Sequence, residues 1–291
     1  MLYLVDDDLG RLDLECGDGF VVANFEIGFP LVREVVRGRS LADGLFDDTE
    51  YLGSRVITVT VRFDSGGCLS PGTSQDLIDQ VMPYLSPRKR PRLVWTLQKN
   101  VLEERSAIVR GLNAPVLINQ RAYPTVVFQW VTIDSFVELP VESCSILNPN
   151  EPAVETGRDY DLTFDRQYAP GGPTDSILIV NPGSAPANWV GTILASANQP
   201  NVVVNGTAIE FNRNTGVNLI AGQTLVIDTK ERTILLNNDP SESRYDRVNF
   251  EDWIWDSLLL QPGTNVIRFN GAGAWFDMNT RLQICTRGAW L

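Results

Sequence analysis

Apolar and polar positions alternate with a period of two along much of this chain. Residues 55–63 read RVITVTVRF, which sets Ile57, Val59, Val61 and Phe63 on one side of an extended strand and Thr58, Thr60 and Arg62 on the other. That alternation predicts an antiparallel strand with one face in a core and one toward water. Residues 125–133, TVVFQWVTI, are apolar on both sides and predict a strand in mid-sheet or between layers. Weaker strand signals lie at 2–5, 20–25, 92–97 and 106–112. The period changes once in this half. In PGTSQDLIDQVMPYL, Leu77, Ile78, Val81, Met82 and Leu85 make a helical stripe. Thr73 and Asp76 have the spacing of a capping box, and Pro83 disrupts the last turn. The stripe suits a helix that plugs one end of a β-sandwich.

The second half repeats the strand signal in shorter pieces, at 176–180, 189–195, 201–204, 224–228, 232–237, 265–269 and 281–285, separated by Gly, Asn and Pro. Asp228-Thr229-Lys230-Glu231 lies between two apolar runs and predicts a hairpin turn. Strands of this spacing predict a sandwich. Between the halves, Pro149, Pro152, Pro170, Pro173, Gly171 and Gly172 fall in loose polar sequence, with a short strand expected at 160–164. The expected organisation is mainly β: a first domain over 1–146 with a short α-helix, a linker and entry strand over 147–173, and a second β-sandwich over 174–291.

Composition narrows the chemistry. The chain has 291 residues, 43% of them hydrophobic and 21% charged, the balance of a soluble, core-forming protein. No apolar run approaches the ~20 residues needed to cross a bilayer, so no membrane insertion is expected. The start, MLYLVDDDLG, lacks the basic segment of an export signal, and synthesis and folding in a cytoplasm are expected. A net charge of -12, from 36 acids against 24 bases, argues against a dedicated nucleic-acid binder. The densest basic stretch, Arg88, Lys89, Arg90 and Arg92, reads as a solvated loop or a protein contact.

There is no histidine, which excludes Ser–His–acid triads, Cys–His dyads and His-ligated zinc. Cys16, Cys68, Cys144 and Cys285 are far apart in sequence and form no CxxC pattern. Four reduced thiols are expected, mostly buried as small apolar residues. Carboxylates are the remaining catalytic currency. Asp6-Asp7-Asp8 and Asp47-Asp48-Thr49-Glu50 are the densest acidic clusters, and both read as solvated turns rather than a glycosidase pair or a calcium loop. Trp189, Trp253, Trp255 and Trp275 fall in the second half, where an exposed indole would stack on a sugar; core or interface packing is the alternative. Trp253 and Trp255 are expected on one side of an extended strand. The Gly-rich GAGAW at 271–275 is no phosphate cradle. Catalytic, cofactor and metal sites are therefore all expected to be none, and the chain is expected not to be an enzyme.

The order of these features resembles the siphophage distal tail protein family. In the first half the resemblance is carried by FEIGFPLVREVVRGRSLADGLFDDTEYLGSRVITVTVRF and then DLIDQVMPYL. In the second half it is carried by GRDYDLTFDRQY, ILIVNPGSAPANWVGTI, TLVIDTKERTILLN and LLLQPGTNVIRF, which look like that family's C-terminal galectin-like sandwich. The resemblance implies a virion protein at the tail tip, a self-associating ring, hexameric in the family, joining the tail tube protein to tip or fibre proteins. DNA would pass through the ring without specific binding, and an acidic lumen suits that passage. Ring closure needs contacts between unlike surfaces of identical subunits. The strand at 55–63 is the expected site of strand extension between neighbours. The excursion over 38–53, with Leu41, Leu45, Phe46 and Tyr51, reads either as a clasp on an adjacent subunit or as an ordinary loop. A carbohydrate-binding adhesin using the second-domain tryptophans is the alternative function.

Overall fold

The computed structural model describes residues 1–14, 20–30, 32–34, 37–38, 45–46, 50–63, 74–98, 102–118, 125–148, 176–194, 197–249, 255–271 and 280–291. The expected strand at 160–164 lies outside them. The described chain is mainly β and antiparallel. It divides into two compact units, Met1–Pro140 with Leu291, and Val141–Trp290.

Unit 1 contains β1 (Leu2–Asp6), β2 (Gly10–Asp13), β3 (Phe20–Ile27), β4 (Val56–Phe63), β5 (Arg92–Gln98), β6 (Leu102–Gly111), β7 (Val116–Ile118) and β8 (Thr125–Thr132). Their order is β2-β1-β5-β6-β8-β4-β3, with β7 beside β8. The ten-residue β6 serves β5 and β8 in turn, besides a single bridge from Ser106 to Glu138. Leu102 to Ile108 pair with β5, and Val109 to Gly111 pair with β8. A strand that changes partner in this way turns the corner of a sandwich. The alternation of β4 then has its expected effect: Ile57, Val59 and Val61 are fully buried, and Val126, Phe128 and Trp130 of β8 join them. The register Val61↔Val126, Val59↔Phe128 and Ile57↔Trp130 sets these side chains in facing pairs.

The helix expected near 73–85 runs over Ser74–Val81 and tightens into a 3₁₀ turn, Met82–Leu85. Pro83 offers no backbone N–H to an α-helical ladder, and the change of pitch falls there. Val81, Tyr84 and Leu85 enter the core while Met82 faces water. Gly111 permits this packing, because a Cβ there would lie 2.2 Å from the Leu85 carbonyl oxygen.

Among the described residues, besides a two-stranded sheet of Ala197–Asn198 with Asn218–Leu219, unit 2 has two larger antiparallel sheets. One comprises β9 (Ser143–Leu147), β11 (Trp189–Leu194), β14 (Thr224–Asp228), β15 (Thr233–Leu236) and β17 (Arg281–Thr286), in the order β9-β17-β11-β14-β15. The other comprises β10 (Ser176–Asn181), β12 (Pro200–Val204), β13 (Thr207–Glu210) and β16 (Gly263–Gly271), in the order β10-β16-β12-β13. Every second residue is buried in β11, β12, β14 and β15. The strand at 143–147 belongs to this unit although the first domain was expected to run to 146, because its hydrogen bonds go to β17. The turn after β14 forms as expected: Lys230 N and Glu231 N donate to Asp228 Oδ1 at 2.8 and 3.0 Å, and Arg232 takes a positive φ. Trp255 does not lie on a strand; it begins a 3₁₀ turn, Trp255–Leu258.

Candidate interaction surfaces

The acidic residues at the start of the chain close a turn. Asp8 N and Leu9 N donate to Asp6 Oδ1 at 3.0 and 3.2 Å, and Lys89 reaches both Asp6 and Asp8. Burial pushes the Asp6 pKa up, but the two amides and the Lys89 ammonium outweigh it, and the net shift is downward. Asp47 and Asp48 lie outside the described residues, and only the backbone of Glu50 is described, in a ladder with Glu34. Three of the four residues of the basic stretch find partners inside unit 1. Lys89 is held by those aspartates, Arg90 donates to the Pro87 and Lys89 carbonyls, and Arg92 bonds Ser106 Oγ and Glu138.

Two of the four tryptophans considered for sugar stacking are core residues. Trp189 is 1% exposed and donates Nε1 to the Leu258 carbonyl at 2.7 Å. Trp255 is buried, stacks on Tyr245 and donates to its hydroxyl. Neither presents a flat face to a ligand. Trp253 and Trp275 lie outside the described residues.

The expectation of four reduced thiols fails at two positions. Cys144 and Cys285 form a disulfide, and Cys16 and Cys68 are outside the described residues. The cysteines are separated by 141 residues in sequence, yet the β9–β17 register sets them directly opposite. Glu142 lies close enough to both sulfurs for its carboxylate to complete a three-ligand cluster, but disulfide sulfurs are not thiolates and bind no zinc.

The expected site of strand extension moves. β4 pairs with β8 on one side and β3 on the other, so both its hydrogen-bonding edges are occupied. Among the described strands of unit 1, β3 and β2 are the ends of the main ladder, and the short β7 is paired on one side only. β3 carries a bulge between Val22 and Asn24, a device that bends an edge. The backbone of the 38–53 excursion is itself paired, Val32–Glu34 with Glu50–Leu52 and Arg37–Gly38 with Leu45–Phe46. Leu41 and the side chains of Leu45, Phe46 and Tyr51 lie outside the description. In unit 2, β10 is an end strand with Leu178 and Val180 exposed, and Leu178 pairs with the part-exposed Val266. Among the described residues, no helix is long and apolar enough to cross a membrane.

Comparison with solved structures finds phage tail hub and baseplate proteins. The crystal structure of SPP1 Dit, described as a paradigm of the hub adsorption apparatus in phages infecting Gram-positive bacteria, matches with a TM-score of 0.60 and 14% identity, covering 100% of both chains. A phage P2 baseplate in its activated conformation with calcium matches with a TM-score of 0.45 and 9% identity, over 98% of this chain and 97% of that one. At these identities the likeness is one of fold. No family model and no curated protein matches the sequence.

Proposed function

We propose that this chain is a structural, non-catalytic protein of the tip of a long non-contractile phage tail, a distal tail protein whose copies close into a ring. The observation that carries the reading is the end-to-end fold likeness to SPP1 Dit, with neither chain having an unmatched domain. In this reading unit 1 builds the ring, a hexamer by family resemblance. It joins the tail tube protein on one side and tip or receptor-binding proteins on the other. Unit 2, galectin-like by the same resemblance, docks outward, and the exposed Leu178 and Val180 support that role. Subunit contacts fall to the end strands β3 and β2 rather than to β4. The paired excursion after β3 supplies the clasp. The surplus of 36 acids over 24 bases keeps passing DNA from sticking, since like charges repel. The protein is made in the host cytoplasm and ends in the virion.

The alternative, a sugar-binding adhesin, finds no exposed indole at Trp189 or Trp255. Measurement of mass in solution, with and without tube and tip proteins, tests the proposal. A ring-sized oligomer is expected. A strict monomer under every condition that binds cell-wall glycans would replace this reading with the adhesin.

A further inference from the structure

Two cysteines far apart in sequence meet on the outer face of a unit 2 sheet. β9 and β17 pair from Ser143↔Thr286 to Leu147↔Leu282, with Cys144↔Cys285 between. β17 is held on its other side by β11, where Val190 lies opposite Cys285. Leu147, Leu282 and Ile284 are buried. The ladder and these core side chains fix the register, so the two sulfurs stay opposite each other whether or not a bond joins them. Cys144 is exposed and Cys285 half-buried, so small molecules reach the pair. Glu142 stands just before β9 and is also exposed. Its carboxylate oxygen and the two sulfurs all lie within 4.8 Å of one another. Gln283 Nε2 donates to Cys285 Sγ at 3.5 Å, a bond that favours a negatively charged sulfur.

While joined, these sulfurs ligate nothing. Reduction turns them into two thiols, and a chain made in a cytoplasm passes through that state, because thiols there are kept reduced. Two thiolates and a carboxylate are a zinc donor set: three protein ligands on a tetrahedral ion, with a fourth position left to water. At the bond lengths zinc takes to sulfur and oxygen, its ligands sit roughly 3.6–3.8 Å from one another. Side chains gathered within 4.8 Å reach that spacing by rotation, and two of the three are exposed and free to turn. Calcium and magnesium take oxygen ligands and do not suit the sulfurs. Copper(I) selects the thiolates but gains little from a carboxylate, so Glu142 favours zinc.

We propose that the reduced chain binds one zinc ion through Cys144 Sγ, Cys285 Sγ and the Glu142 carboxylate, and that closing the disulfide releases it. On binding, the two thiols give their protons to solvent and the thiolates share the ion with the carboxylate. On release, a small-molecule disulfide takes two electrons from the sulfurs, picks up two protons from water and leaves as two thiols. The Cys144–Cys285 bond forms and the zinc departs. The same pair of sulfurs thus ties β9 to β17 through a metal before oxidation and through a covalent bond after it. The site lies wholly within unit 2, so this proposal and the ring reading fail separately.

The test uses the full chain, reduced with a phosphine in the absence of dioxygen. It is titrated with zinc(II) in a calorimeter and with cobalt(II), whose absorption reports thiolate ligation. One ion per chain is expected, and zinc should raise the unit 2 melting transition of the reduced chain toward that of the oxidised one. Cys144→Ser should weaken binding more than about a hundredfold, since even an outer partner of a ligand is worth about 10–100-fold. Glu142→Gln should weaken it about tenfold or more and leave the cobalt–thiolate absorption in place. Oxidised glutathione should release the zinc. If reduction unfolds unit 2, zinc is expected to restore its folding, and failure to do so overturns the proposal. Binding that survives Cys144→Ser at full strength overturns it in favour of Cys16 or Cys68. Unchanged affinity in Glu142→Gln overturns the three-ligand site. Equal binding to the oxidised chain, or none to the reduced one, also overturns it and leaves Cys144–Cys285 a structural link alone.

Discussion

The two units differ in the buried polar atoms they leave over. Unit 2 buries uncharged side chains and saturates nearly all of them. Asn265, fully buried, accepts from Gln261 N and Asn205 Nδ2 and donates to the Gln261 and Gly263 carbonyls at 2.8 and 3.0 Å. Asn181 is bonded to Ala185, Leu260 and Gly183, and Thr229 exchanges two bonds with Trp189. The buried side-chain atom left over among the described residues of unit 2 is Asn201 Oδ1, an uncharged acceptor. Unit 1 leaves the Nη2 donor of Arg55 without a partner, besides the indole N–H of Trp130. Buried amides with all partners in place rigidify a fold; a buried guanidinium with a donor left over costs stability. The difference is one of charge: the atom left over in unit 2 is an uncharged acceptor, and one of those left over in unit 1 belongs to a guanidinium.

The strongest way to break this contrast is to attack what closes unit 2. By the chain-entropy account, removing the link across 141 residues costs about 5 kcal/mol. Cys144→Ala with Cys285→Ala, or reduction by dithiothreitol, should therefore lower one calorimetric transition and leave a second, that of unit 1, in place. A single transition that moves as a whole would show that the units do not melt separately. Next in size, Asn265→Ala strands several buried backbone groups and should cost about 3 kcal/mol by chemical denaturation. A loss below about 0.5 kcal/mol would mean that water replaces the side chain at no cost. Arg55→Met should act with the opposite sign, stabilising unit 1 by about 1 kcal/mol because an uncompensated charge leaves the interior. A destabilisation as large as that of Asn265→Ala would erase the distinction between the units.

The smallest effect is electrostatic. The Asp6 pKa is lowered in the folded chain, so its contribution to stability is present above the unfolded value of about 3.9 and is lost as pH falls through the folded value. Compared with wild type, Asp6→Asn should flatten the fall in melting temperature below about pH 4. A profile parallel to wild type would remove Asp6 from the acid response.

Much of the strand content was legible in single segments. Ile57, Val59 and Val61 announced a half-buried strand, Asp228 announced its turn, and the stripe ending at Leu85 announced the helix. These are local signals, set by backbone period and by which side chains bond their own main chain. The β9 strand was missed because SCSIL follows a proline- and acid-rich stretch and has little apolar alternation. Trp255 was misread because Trp-Ile-Trp spacing suits a strand as well as a turn.

The sequence by itself determined that this is a two-part, antiparallel β protein without histidine chemistry, because period, composition and the absence of a residue type need no partner to be read. Only the tertiary structure decided which strand is interior and which is an end, that Cys144 meets Cys285, and that Arg55 is walled in. Each of these depends on register between segments tens of residues or more apart. A pattern of period two fixes which face of a strand is buried and leaves open which strand lies beside it.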